Sequence, residues 1–272
     1  MSSTASAIQS PVSRSRWGIH LFLITAYILT VGLLGLGRQG SAVHAPALSG
    51  TATGLLARCG LELLVFGLVF ALAWLASRAT RQDLLLRWRG TAQPALLGIG
   101  YSVALRLVLM MLMIAIAGGL LAFQVMSLDE LEKFFTNNRP DVQATVDLAA
   151  LRHNPAYFWL TVSFVSFIVA GLREELWRSA FLAGLRALWP RRFSSGAGQV
   201  LAVALCAVLF GFAHLAMGWL AVGMTGVLGL GLGLIMVLHR SIWPAVIAHG
   251  LFDATTFAML PWAMEHAGRF PA

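Results

Sequence analysis

Charge is in short supply in this chain. Only 11% of its 272 residues are Asp, Glu, Lys or Arg, against about 25% in a soluble domain. That is too little charge to cover a water-facing surface, so an ordinary soluble globular fold is excluded. Lysine is nearly missing. Of 19 basic residues, all but Lys133 are arginine. Cysteine is limited to Cys59 and Cys206, both inside apolar runs. A disulfide framework, a CxxC pair and a zinc ribbon are therefore absent, and two buried thiols are expected. The sequence also lacks a P-loop, a dinucleotide fingerprint, HExxH, an internal repeat, inverted halves and low-complexity tracts. Nucleotide-driven and repeat-built architectures lose their usual marks.

What is present is apolar. Hydrophobic residues make up 58% of the chain and mean hydropathy is +0.79. Most of it has lipid as its solvent. The net charge of +8 lies in arginines between apolar runs. It reads as topology and anionic headgroup contact rather than nucleic-acid binding. A bilayer core needs about 20 apolar residues per helix. Runs near 17–37, 54–76, 94–125, 156–185, 198–217, 219–238 and 241–260 qualify. The expected fold is all-α, a polytopic membrane helical bundle of about 7–8 transmembrane helices. It forms one membrane-embedded domain over 1–272, with a polar tail at 1–16. The third and fourth runs are long enough to tilt, break or hold extra turns. The first run follows Arg14 and Arg16 like a signal peptide, but it is too long for a signal core. It reads as a retained helix, and Ala45-Pro46-Ala47 lies too far downstream for cleavage.

Loop arginines set the expected orientation. Arg14 and Arg16 are followed by Arg78, Arg81, Arg87 and Arg89, then Arg186, Arg191 and Arg192, then Arg240. These lie in alternate loops, which places the N-terminus in the cytoplasm and, for seven spans, the C-terminus outside. The compact, loop-poor chain suggests a bacterial inner membrane. The intervening loop 126–155 carries Asp129, Glu130, Glu132, Asp141 and Asp147. Within it, Ser127-Leu-Asp-Glu130 reads as a capping box opening a short helix. Leu131, Phe134 and Phe135 would lie on the membrane surface, as an interfacial helix or as a lid over a site.

Ionisable residues at membrane depth are costly, about 2.5–3.5 kcal/mol each on insertion scales. They persist where they pair or work. Arg58 and Glu62 sit four apart and can form a structural ion pair. Arg106 stands alone in its run, to snorkel or to meet an acid elsewhere. The densest group is Arg173-Glu174-Glu175-Leu-Trp-Arg178. Either acid can pair with Arg178, and adjacent acids point about 100° apart on a helix. One Glu can be held while the other faces a cavity as a candidate base. The group also fits the headgroup end of a helix. Further on come Phe210-x-x-x-His214 and His249-x-x-x-Asp253. His249 and Asp253 share a helical face, so the carboxylate can orient the imidazole. Singly, each His is an ordinary core or interface residue. Together with the Glu pair they make a catalytic or ion-relay inventory.

Glu174-Glu175…Arg178, Phe210…His214 and His249…Asp253, in that order over about 155–255, resemble the CPBP family, which contains CAAX prenyl protease 2 and Abi, bacteriocin-processing membrane proteases. The family pattern has three residues between the second Glu and the Arg, whereas this chain has Leu176 and Trp177 only. The resemblance implies a membrane endopeptidase in which a Glu and His214 activate water. It implies that His249 and Asp253 stabilise the oxyanion or orient the site, with Arg178 and Phe210 in support. Glu174, the first of the pair, is the preferred base, with Glu175 the alternative. A zinc version would use Glu174, His214 and His249 as a His₂Glu set. A metal-free glutamate mechanism is the competing form and the one preferred. The implied partners are membrane lipids and a membrane-associated peptide or protein substrate, without nucleic acid. Two other classes fit the same residues: a catalytically silent immunity or scaffold protein, and a proton-coupled transporter.

Overall fold

The structure is a computed structural model that describes residues 13–36, 50–88, 90–142 and 145–266. Arg89, the Ala45-Pro46-Ala47 motif and residues 1–12 of the tail lie outside the described residues. Every regular element among the described residues is helical. In chain order these are α1 (Arg14–Leu36), α2 (Ala52–Ser77), α3 (Gln93–Ala122), α4 (Leu128–Asn138), α5 (Leu148–His153) and α6 (Pro155–Leu160). A π-helical segment, Thr161–Leu172, joins α6 to α7 (Arg173–Leu188). Then come α8 (Pro190–Phe193), α9 (Gly196–Ala213), α10 (Trp219–His239) and α11 (Trp243–His266).

Six helical stretches are long and apolar enough to cross a membrane: α1, α2, α3, the continuous Pro155–Leu188 rod, α9 and α10. The seventh apolar run of the sequence becomes α11, 24 residues long but outside that group. His249 and Asp253 lower its hydropathy, because a helix that carries a polar site surrenders part of its apolar signal.

The helix ends sort into two groups. At one end, Arg16 donates to the carbonyls of Ala76 (2.6 Å) and Leu75 (3.1 Å), and Arg14 donates to Leu188 (2.9 Å). Arg186 donates to the Asp83 carbonyl (2.7 Å), and Ile242 donates its backbone N–H to Leu85 (2.9 Å). The arginine-rich segments thus meet, and their side chains satisfy carbonyls left open at helix C-termini. At the other end Arg152 pairs with Glu265 (2.7 Å), and Asp141 N–H donates to the Met217 carbonyl (3.0 Å). Because α11 begins against Leu85 and ends against Arg152, it runs the same distance as the six more apolar stretches. Helix α4 opens with the expected capping box: Glu130 N–H donates to Ser127 Oγ (3.3 Å), and Ser127 N–H donates to Glu130 Oε2 (2.8 Å). Leu131 is buried and Phe134 is exposed.

Burial is inverted relative to a soluble protein. Leu61, Leu64, Leu68 and Leu72 of α2, and Leu96, Ile99, Val103 and Leu107 of α3, are exposed. Glu175, Arg178, Ser179, His20 and His249 are buried. Apolar side chains lose nothing by facing lipid, whereas charges must find partners inside. His20 shows how the interior is tied. Its Nε2 lies 3.0 Å from the Ala180 carbonyl and its Nδ1 3.0 Å from Ser77 Oγ. One imidazole thus joins α1, α2 and α7.

Candidate functional site

The site begins with an irregular stretch of backbone. Over Thr161–Leu172 the rod is wound as a π-helix, and Ser166 Oγ donates to the Thr161 carbonyl one wide turn back (2.9 Å). Such turns are uncommon and often stand at functional positions. Near its end, Gly171 lets α11 come close: a Cβ there would lie 2.9 Å from the Val246 carbonyl oxygen. The contact sets the α11 backbone against the start of α7, so His249 faces the two glutamates.

Glu175 is fully buried and doubly held. Its Oε2 pairs with Arg178, three residues on, and its Oε1 lies 3.0 Å from His249 Nδ1. A carboxylate oxygen only accepts, so His249 Nδ1 carries the hydrogen of that bond. Arg178 therefore takes Glu175 and not Glu174, although helical spacing permits either. Its guanidinium carbon sits 4.6 Å from the centroid of the Phe210 ring. Gly229 of α10 makes room for this stack, since a Cβ there would come within 2.7 Å of Phe210 Cδ1.

Glu174 is held on one side only. Arg173 NH2 donates to its Oε1 (2.9 Å), while its Oε2 is buried and has no hydrogen-bond partner. That oxygen lies 3.8 Å from His249 Nε2. Asp253 Oδ2 approaches the same nitrogen at 3.7 Å. His249 thus has one ring nitrogen committed to Glu175 and the other between Glu174 and Asp253.

His214 terminates α9. Its Nδ1 lies 2.8 Å from the Phe210 carbonyl, so that nitrogen is the donor and Nε2 points elsewhere. Its ring is 4.7 Å from the Phe210 ring, and the His249 ring is 6.1 Å from the same centroid. One aromatic side chain abuts both imidazoles and Arg178. The sequence placed His214 near a helix end and His249 nearer mid-helix. The structure brings both to Phe210.

Two charges singled out in the sequence have partners near the site that the sequence reading did not name. Among the described residues Arg106 forms no ion pair. It donates to Ser102 Oγ (2.8 Å) and to the carbonyl of Phe252 (2.5 Å), touches Thr255, and clamps α3 to α11 beside Asp253. Glu62 does pair with Arg58 (2.8 Å), and it also reaches Arg173 NH1 (3.3 Å). The charges inside the second and third apolar runs were the available signal, but nothing in the spacing named these distant partners.

The zinc set Glu174, His214 and His249 was tested against the geometry. Among the described residues no three His, Cys, Asp or Glu side chains are disposed to hold a metal ion.

Comparison with curated proteins and with solved structures yields no match. A family model does match: residues 155–255 fit the family described as type II CAAX prenyl endopeptidase Rce1-like, the membrane protease family that the motifs resemble.

Proposed function

We propose that this protein is a glutamate-type intramembrane endopeptidase with Glu174 as its general base. The observation that carries the reading is the unequal treatment of the two acids. Glu175 has both oxygens engaged, Oε2 in a close ion pair with Arg178 and Oε1 with His249 Nδ1, whereas the nearest charged group to Glu174 Oε2 is His249 Nε2 at 3.8 Å. Glu174 keeps one buried oxygen without a hydrogen-bond partner, beside His249 Nε2. A base must have an oxygen to offer.

In the proposed reaction, Glu174 takes a proton from water with His214 Nε2 assisting. The water oxygen bonds to the substrate carbonyl carbon. His249, locked by its Nδ1–H bond to Glu175, turns Nε2 toward the reacting centre, where a proton on that nitrogen donates to the developing oxyanion. Asp253 flanks Nε2 and fixes the ring plane. The carbon–nitrogen bond then breaks as the amide nitrogen receives the proton that Glu174 took. Phe210 acts on substrate through neither charge nor hydrogen bond. It sets the distance between the two imidazoles. The substrate is a membrane-associated peptide or protein segment able to enter from lipid.

The test is cleavage of a membrane-tethered reporter library by purified protein, with and without chelator. Wild type cleaves and chelator leaves the rate unchanged. Loss of activity on chelation, restored by zinc, would replace the metal-free mechanism. A folded wild type that cleaves nothing, while conferring proton-dependent solute uptake in vesicles, would shift the assignment to a transporter.

A further inference from the structure

The molecule holds a second line of charge, one that leads into the proteolytic machinery from outside it. It starts on α2, outside residues 155–255, and ends on Glu174. Arg58 Nε donates to Glu62 Oε1 (2.8 Å), Glu62 Oε2 accepts from Arg173 NH1 (3.3 Å), and Arg173 NH2 donates to Glu174 Oε1 (2.9 Å). Exposure falls along this line. The side chains of Arg58 and Glu62 are 40% and 30% exposed, while Arg173 and Glu174 are each 17% exposed. Two acids alternate with two bases, so the line is neutral as a whole.

Arg173 is the hinge of the arrangement. A guanidinium presents a planar fork that fits both oxygens of one carboxylate. Here the two prongs are divided: NH1 goes to Glu62 and NH2 to Glu174. The division leaves Glu174 with a single tether and a second oxygen aimed at His249 Nε2. Without Glu62, the NH1 prong loses its carboxylate and keeps only the Tyr27 hydroxyl nearby, and closing the fork on Glu174 swings Oε2 away from His249.

We infer that Glu62 is a positioning residue that keeps Arg173 from closing on Glu174, and so holds the free oxygen of Glu174 toward His249. A plain structural role for Glu62 predicts something different. As a partner of Arg58 alone it would need one oxygen, and its loss would not depend on Arg173. The inference rests on the proteolytic reading for its consequence in turnover, but not for its geometry.

Two readouts on the full-length protein in detergent test it. The first is modification of Glu174 by dicyclohexylcarbodiimide, measured by peptide mass spectrometry. The second is kcat and KM on the tethered reporter. Glu62→Gln is expected to lower Glu174 modification at least threefold, because a carboxylate closed in the fork is a poorer target. It is expected to lower kcat at least tenfold with KM within twofold, at unchanged melting temperature. In an Arg173→Ala background, or Arg173→Gln if the alanine variant does not fold, Glu62→Gln should change neither readout further. An equal effect of Glu62→Gln with and without Arg173, or no effect in wild type, would overturn the inference. If the modification pattern holds while wild type cleaves no reporter, the positioning stands and the proteolytic reading fails.

Discussion

Glu174 and Glu175 are neighbours with opposite surroundings, and substitution should separate them. Glu174→Gln exchanges the unpartnered oxygen for an amide nitrogen and leaves Oε1 to accept from Arg173, so the fold should keep its melting temperature while turnover drops by about 10²–10⁴-fold, the usual share of a general base. Glu175→Gln leaves Arg178 buried without a counter-charge. Breaking a buried ion pair from one side costs about 3–5 kcal/mol, so this variant should lose thermal stability as well as activity. Thermal unfolding beside reporter cleavage checks both. If Glu175→Gln were stable and inactive while Glu174→Gln still turned over, the base would be Glu175. At this scale the sequence displayed the chemical inventory: three acids, two imidazoles and Arg178. The choice of partners stayed hidden. Arg178 can reach residues three or four back with equal ease, and Glu62 meets Arg173 across a gap in sequence that no periodicity links.

Helices bring these side chains together at contacts that tolerate little. Gly171→Ala places a Cβ against the Val246 carbonyl, which is backbone and does not rotate aside. It should push α11 from the rod and lengthen the bond between His249 and Glu175. The expected result is a stability loss of about 1–3 kcal/mol, typical of overpacking, with activity lowered at least tenfold; thermal unfolding and reporter cleavage check this. Helix α4 offers a milder test. Its two Ser127 hydrogen bonds hold the Glu130 carboxyl below its ordinary value. A depressed carboxyl stabilises above its unfolded value near 4.5, and the contribution fades as pH falls through the depressed value. Hydrogen exchange should therefore show α4 loosening in that acid range, and Ser127→Ala should weaken the protection and its pH dependence without abolishing them, because the backbone N–H of residue 127 still donates to Glu130. The capping box was legible because it is local, spanning four residues. The π-helical segment was not, since Thr161–Leu172 reads as any apolar helix. Its wider winding accompanies the packing of Gly171 on α11.

Across the whole molecule the arginine-bearing segments meet at one end, through Arg14 and Arg16 on helix carbonyls and Arg186 on the Asp83 carbonyl in the turn after α2. We propose from this grouping that the arginine-bearing end faces the cytoplasm. Cys59 and Cys206 are both buried, so an added thiol reports alone. Arg81→Cys should react with an impermeant maleimide only from the cytoplasmic side, and Thr136→Cys only from the opposite side. Reaction of both from one side would break the alternation of spans. The lipid-facing exterior and the helical class were already determined by composition, because a chain with so few charges and such long apolar runs has no other way to satisfy its backbone in a bilayer. The three motifs and their order were also determined by sequence alone. Tertiary structure decided which acid is held and which is left an open oxygen, that Phe210 lies against both imidazoles, and that Glu62 on α2 touches the line leading to Glu174. Those outcomes depend on how helices far apart in sequence cross. Periodicity reports which face of a helix a residue occupies, and is silent about what that face will meet.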